Sequence, residues 1–197
     1  MTPKKVITFD IDEDGMKGVK AVSLVDFPAI ESNFVALGKA EVKLSTVSEE
    51  RRMLYGAALI PDKLILRIDP ETKEEYYIRF PKKSIERIAY NFMKAGNHHN
   101  ATFMHEFSIT GCTVVETWLK ESENDKSTAI GLEVPDGSWC IGMKVDSDEV
   151  WQEVKAGKVM GFSIEGFFDS VDQAFRVAEP SEEEKVLKEI EAIIAAM

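Results

Sequence analysis

The sequence predicts a mainly β fold of the α+β class, with a few helices packed around the strands. Two observations carry that expectation. Short apolar or alternating runs recur along the chain, each closed by glycine, proline or acidic turn residues, which is the pattern of strands. Segments with the 3.6-residue period of a buried helical stripe are few by comparison. Many strands with turn signals and few helices point to a largely antiparallel barrel or sandwich with helices outside it.

In chain order, residues 4–9 and 19–25 read as two strands around the turn Asp12-Glu13-Asp14-Gly15. Pro28 ends any strand in Ser23-Leu24-Val25-Asp26-Phe27-Pro28, and residues 38–50 read as a polar loop or linker. Strands follow at 53–60, 64–68 and 75–80, with Pro61-Asp62 as a turn. From about Pro81 to Ala95 the residues Ile85, Ile88, Ala89, Phe92 and Met93 form one helical stripe. Pro81 suits the first turn of that helix and Gly96 its end. Strands are expected at 101–109, 112–119, 128–134, 138–145 and 159–168. A helix over about 147–156 has Asp146 as its cap, Glu149 three residues on, and Gly157 as its stop. A last helix after Pro180-Ser181 carries the stripe Val186, Leu187, Ile190, Ile193 and Ile194, with Glu182, Glu183 and Glu184 at its N-terminus. These elements divide the chain into a domain over 1–178 and an amphipathic helix or tail over 179–197.

Composition narrows the function classes. The chain has 197 residues, 44% of them hydrophobic, enough for a sizeable core. With 24 Lys+Arg against 35 Asp+Glu the net charge is −11, which disfavours a nucleic-acid partner. No apolar run approaches the roughly 20 residues of a membrane span, and the start, Met1-Thr2-Pro3-Lys4-Lys5, lacks the apolar centre of a signal peptide. Cys112 and Cys140 fit buried thiols better than a disulfide framework or a zinc site. The expected location is cytoplasmic.

Three features invite a functional reading. Asp10-Ile11-Asp12-Glu13-Asp14-Gly15 imitates the start of a calcium loop, but the twelfth position, where the bidentate Glu belongs, is Ala21; an acidic turn is the better reading. His98 and His99 lie in a polar loop without a third ligand at suitable spacing, although a metal site adding His105 is conceivable. His105 shares strand parity with Phe103, Phe107 and Ile109, so by pattern it belongs to an apolar face. If Thr110-Gly111 is a two-residue hairpin turn, Ile109 meets Cys112, Phe107 meets Val114, Phe103 meets Trp118 and His105 faces Glu116. A carboxylate on a histidine is half of a nucleophile–base–acid constellation. Ser163, in Gly161-Phe162-Ser163-Ile164-Glu165-Gly166, is the candidate nucleophile, although by bare pattern a strand serine, like a His–Glu pair, is more often structural. The second glycine comes one residue too late for the G-x-S-x-G elbow, which argues against an α/β-hydrolase.

Several separated motifs resemble the phage prohead (procapsid) maturation serine proteases, in particular the XkdF-like branch, over roughly residues 5–170. They are Val22-Ser23-Leu24-Val25-Asp26-Phe27-Pro28-Ala29-Ile30-Glu31, Tyr55-Gly56-Ala57-Ala58-Leu59-Ile60-Pro61-Asp62, His105, Val115-Glu116-Thr117-Trp118, Gly137 to Val145, and Gly157 to Gly166. The resemblance implies a small antiparallel β-barrel ringed by helices, like the herpesvirus assemblin. It implies Ser163 as nucleophile and His105 as general base. Glu116 is the expected third member; Glu106 and Asp169 stay open. It implies further an endopeptidase that needs no cofactor and cleaves scaffold and major capsid protein segments, with itself as a further substrate. The place of action would be the procapsid in the host cytoplasm, and a homodimer would fit the relatives. The alternative is a non-catalytic, scaffold-binding component of the head.

Overall fold

Residues 5–10, 18–26, 35–36, 51–68, 72–166 and 176–177 are described by a computed structural model. The strands form where apolar residues recur: β1 (Val6–Asp10), β2 (Val19–Val25), β3 (Val35–Ala36), β4 (Met53–Leu59), β5 (Ile65–Ile68) and β6 (Glu75–Arg79), then β7 (Ala101–Phe103), β8 (Phe107–Ile109), β9 (Cys112–Leu119), β10 (Trp139–Val145), β11 (Gly161–Gly166) and β12 (Arg176–Val177). They assemble into three four-stranded sheets, ordered β12-β1-β6-β5, β3-β4-β10-β9 and β11-β2-β7-β8. The mainly β, α+β expectation is met. The closed barrel is not: among the described residues all three sheets are open.

β2 organises the third sheet. It pairs antiparallel with β11, setting Ser163 opposite Ser23, and parallel with β7, setting Ser23 opposite Thr102. β7 pairs antiparallel with β8, setting Thr102 opposite Ser108. Neighbouring rows fall on the other face, because side chains alternate along a strand. Those rows are Phe162–Leu24–Phe103–Phe107 and Ile164–Val22–Ala101–Ile109. Leu24, Val22 and Phe162 are fully buried there, within one core that also takes Leu54, Leu59, Ile141, Trp139 and Phe92.

Helix α1 (Lys82–Lys94) follows the expected stripe. Ile85, Ile88, Ala89 and Phe92 are buried, and Phe92 meets Trp139 edge-on at 5.2 Å between ring centroids. Met93, at the rim of the stripe, is exposed. Gly96 follows the C-cap in the left-handed region at φ 73°, where a side chain would be strained. The strand expected at 128–134 is absent. Asp125 caps a short helix, α2 (Lys126–Ala129), by accepting from Ser127 N–H at 2.7 Å. The apolar Leu132 and Val134 are buried from a loop, which the nearly buried Lys120 ammonium holds by donating to the Val134 carbonyl at 2.7 Å. Helix α3 (Asp148–Lys155) is capped by Ser147 rather than Asp146: the Ser147 hydroxyl accepts from Val150 N–H at 3.3 Å. The expected C-terminal helix over 179–197 lies outside the described residues. Among those residues no helix is long and apolar enough to cross a membrane.

Cys112 and Cys140 are free and buried, as expected. Burial pushes both thiols up to about 11, so at neutral pH neither is a thiolate. Iodoacetamide at pH 8 is therefore expected to leave both intact in the native protein and to modify both after denaturation. The linkage follows the same sign. The neutral thiols contribute stability that is present below the unfolded thiol value of about 8.5 and lost as pH rises toward 11. Mass spectrometry of the alkylated protein checks the first expectation, and thermal melts across this pH range check the second.

Candidate active site

The turn between β7 and β8 builds the site. Met104 and His105 both have positive φ, 51° and 61°, and Glu106 N–H returns to the Phe103 carbonyl at 3.0 Å. Two left-handed central residues closed by such a bond are the mark of the primed hairpin turns. Non-glycine residues there cost roughly 1–3 kcal/mol each and persist only when their surroundings hold them. Here β2 holds them: Met104 N–H donates to the Leu24 carbonyl at 2.9 Å, and His105 N–H donates to Ser23 Oγ at 3.0 Å.

This arrangement corrects two expectations. His105 is not within a strand on an apolar face; it stands at a hairpin apex with its side chain 44% exposed. Nor do residues 101–109 and 112–119 pair across Thr110-Gly111. β9 leaves for another sheet and pairs with β10 along its whole length. Gly111 turns that corner at φ 74° with its carbonyl accepting from Asp146 and Ser147 N–H, so it is tied to the β10–α3 junction and cannot act as the tip of a hairpin.

Glu116 accordingly does not meet His105. It accepts from Tyr55 O–H at 2.8 Å and pairs with the Lys126 ammonium. The cross-strand row Tyr55–Gly142–Glu116 explains the contact. A Cβ on Gly142 would stand 2.5 Å from the Tyr55 ring, so only glycine lets the ring cross β10 to the carboxylate. Lys126 sits 4.2 Å above the Tyr55 ring. An open cleft of about 510 Å³ lies beside this group, lined by Glu116, Trp118, Asp125 and Lys126 among others; Ser163, His105 and Glu165 line none of it.

The carboxylate that His105 does meet is Glu165. Its Oε1 lies 3.0 Å from His105 Nδ1 and also accepts from Thr102 Oγ1. With Nδ1–H donating, Nε2 is left as the basic nitrogen; among the described residues nothing hydrogen-bonds to it. Glu165 lies two residues beyond Ser163 on β11, so both side chains share one face of the strand. Ser163 is 7% exposed. Its hydroxyl has no hydrogen-bond partner among the described residues, yet it is not sealed from solvent; the sealed, unpartnered polar atom among them is His98 Nδ1. The structure thus brings Ser163, His105 and Glu165 onto one face around Ser23, and leaves Glu116 on another sheet. Glu106 is exposed in the turn, and Asp169 lies outside the described residues. The Ser-x-Glu spacing on one strand was the signal by which sequence could have found Glu165. The His98 and His99 rings meet at a tilt of 46° in a short 3₁₀ turn, and no metal-holding group of three side chains occurs among the described residues.

Residues 41–172 match the protein family described as "Putative phage serine protease XkdF". The chain belongs to this family. Two similar proteins are known from Bacillus subtilis (strain 168). The "Phage-like element PBSX protein XkdF" is 29% identical over 165 residues, covering 79% of this chain and 54% of that protein. The "Uncharacterized protein YqbD" is 25% identical over 155 residues, covering 78% of this chain and 44% of its own length. The chain spans about half the length of these relatives. No solved structure matches it. The matched region of the XkdF family contains Ser163, His105 and Glu165, and equally Glu116.

Glu116→Gln is expected to destabilise the fold by about 1 kcal/mol or less, because the Glu116–Lys126 pair is partly solvated, and to leave the His105 ring resonances in place. Glu165→Gln is expected to move them. Thermal melts and ¹H–¹³C spectra of the imidazoles check both, and a His105 signal that follows Glu116 instead would contradict the geometry described.

Proposed function

We propose that the chain is a serine endopeptidase of phage head maturation, with Ser163 as nucleophile, His105 as general base and Glu165 as the acid that orients it. The observation that carries this reading is the 3.0 Å contact of His105 Nδ1 with Glu165, two residues along the same strand face from Ser163. The family description supports the serine chemistry, and the phage-like element that holds a relative supports the viral setting. Scaffold and major capsid protein segments are the proposed substrates, cleaved inside the procapsid.

In this mechanism Ser163 Oγ bonds to the peptide carbonyl carbon while its proton passes to His105 Nε2. The Glu165 carboxylate keeps Nδ1 protonated and stabilises the imidazolium that forms. The tetrahedral adduct then breaks its C–N bond, the leaving amine takes the proton from Nε2, and water releases the acyl group by the same steps in reverse order. Glu165 occupies the role expected of Glu116. The wide exposure of His105 suits an extended polypeptide substrate, laid over an open surface rather than enclosed in a pocket.

Two measurements test the reading. Co-expression with the phage scaffold and major capsid protein is expected to give processed products, and Ser163→Ala is expected to abolish them without lowering the melting temperature. A fluorophosphonate probe, which loses fluoride as it phosphonylates an activated serine, is expected to label Ser163 in the wild type. Processing that continues unchanged in the Ser163→Ala protein would sink the assignment.

A further inference from the structure

The face of the third sheet that carries Ser163 also carries a row of four hydroxyl side chains, one from each strand: Ser163, Ser23, Thr102 and Ser108. A row of hydroxyls across a whole sheet is not what burial alone selects. Ser23 is fully buried, where a hydroxyl is unfavourable unless it is hydrogen-bonded. The two inner members each hold one proposed member of the catalytic group. Ser23 Oγ accepts the His105 main-chain N–H at 3.0 Å, and Thr102 Oγ1 donates to Glu165 Oε1, the same oxygen that meets His105 Nδ1.

We infer that Ser23 and Thr102 are positioning residues of the Ser163–His105–Glu165 site; the inference rests on the catalytic reading above for its effect on rate, but not for its effect on the imidazole. The need for them follows from the side chains they hold. Glutamate has three rotatable side-chain bonds, and the Glu165 side chain is 30% exposed, so water competes for its oxygens and rotamer entropy opposes a fixed pose. A second donor on Oε1 ties the carboxylate down. Threonine suits that task, because its branched Cβ restricts its own rotation and its strand is paired on both sides. His105 has the corresponding problem in its backbone. Its left-handed conformation is held through its own N–H, and Ser23 is the acceptor. Together the two hydroxyls fix both ends of the His105–Glu165 hydrogen bond, one through the main chain of the histidine and one through the carboxylate.

The test compares Thr102→Val, which keeps the shape and removes the donor, with Thr102→Ser, which keeps the donor; Ser23→Ala is the second probe. Two quantities are read on the full chain. One is the downfield imidazole Nδ1–H resonance of His105 with its ¹⁵N tautomer pattern, which needs no activity. The other is the rate of Ser163 labelling by a fluorophosphonate. Thr102→Val is expected to broaden or abolish the Nδ1–H resonance and to slow labelling about tenfold, the scale of one hydrogen bond to a charged group. Thr102→Ser is expected to retain the resonance and to label within about twofold of wild type, and Ser23→Ala to resemble Thr102→Val. Melting curves establish that each variant is folded. A Thr102→Val protein that keeps both the resonance and the wild-type labelling rate overturns the inference, as does a Thr102→Ser protein as impaired as Thr102→Val. A wild type that resists the probe while the resonances respond as expected refutes the protease reading and leaves the positioning inference standing.

Discussion

Everything at the candidate site depends on β2 lying between β11 and β7. β11 and β7 share no main-chain ladder, so β2 sets the register of both, and the contacts of Thr102 and His105 with Glu165 reach across it. β2 is suited to that position because six of its seven residues are buried. Its apolar face locks into the core with Val22 and Leu24, and its other face is free to carry Ser23. A slip of one residue in either pairing would turn Ser163 or Thr102 toward the core and place an apolar side chain beside His105. The dense packing of Leu24, Val22 and Phe162 therefore fixes the register on which the polar contacts of the opposite face rely.

The histidine reaches this face by a strained route. A turn of Met104 and His105 with both φ values positive is poorly matched to its residues, and nothing local stabilises it except the Glu106 to Phe103 bond. Both of its inner amides instead donate to β2, one to a carbonyl and one to a side chain. This difference matters chemically. A carbonyl acceptor is available at every strand residue, but a hydroxyl acceptor exists only where the sequence places one. The main-chain N–H of His105 is thus held by a single side chain, whereas that of Met104 is held by the strand itself. Backbone strain held in place by its surroundings is a usual feature of functional sites.

Much of the fold was legible in the sequence, and the failures have physical causes. The stripe of α1 and the apolar runs of β4, β9, β10 and β11 are long enough for their periods to be unambiguous. The β7–β8 hairpin was hidden because primed turns are normally announced by Asn-Gly or Asp-Gly, and here the turn is Met-His. The glycine six residues later, Gly111, gave the stronger turn signal and drew the expected hairpin to the wrong place. The segment 128–134 imitates a strand because Leu132 and Val134 are buried, as strand residues would be, from a loop whose backbone Lys120 holds. The fold of the chain after 177 is outside what the structure describes.

The exchange of Glu116 for Glu165 turns on the same limitation. Both are part-exposed carboxylates within apolar strands, and a charge drawn partly out of water favours a partner. Sequence offers each of them a partner only by assuming a register. For Glu116 the assumed register supplied His105, while the actual one supplies Tyr55 across Gly142, with Lys126 arriving from a helix that no strand register could place. For Glu165 no register is needed to relate it to Ser163, because residues two apart on one strand share a face whatever the strand pairs with. That local relation is the more robust one. It puts the proposed nucleophile and acid on a single strand and leaves only the histidine to be delivered by tertiary structure, which is why the β7–β8 turn docked against β2, rather than β11, is the part of the site that the fold must hold in place.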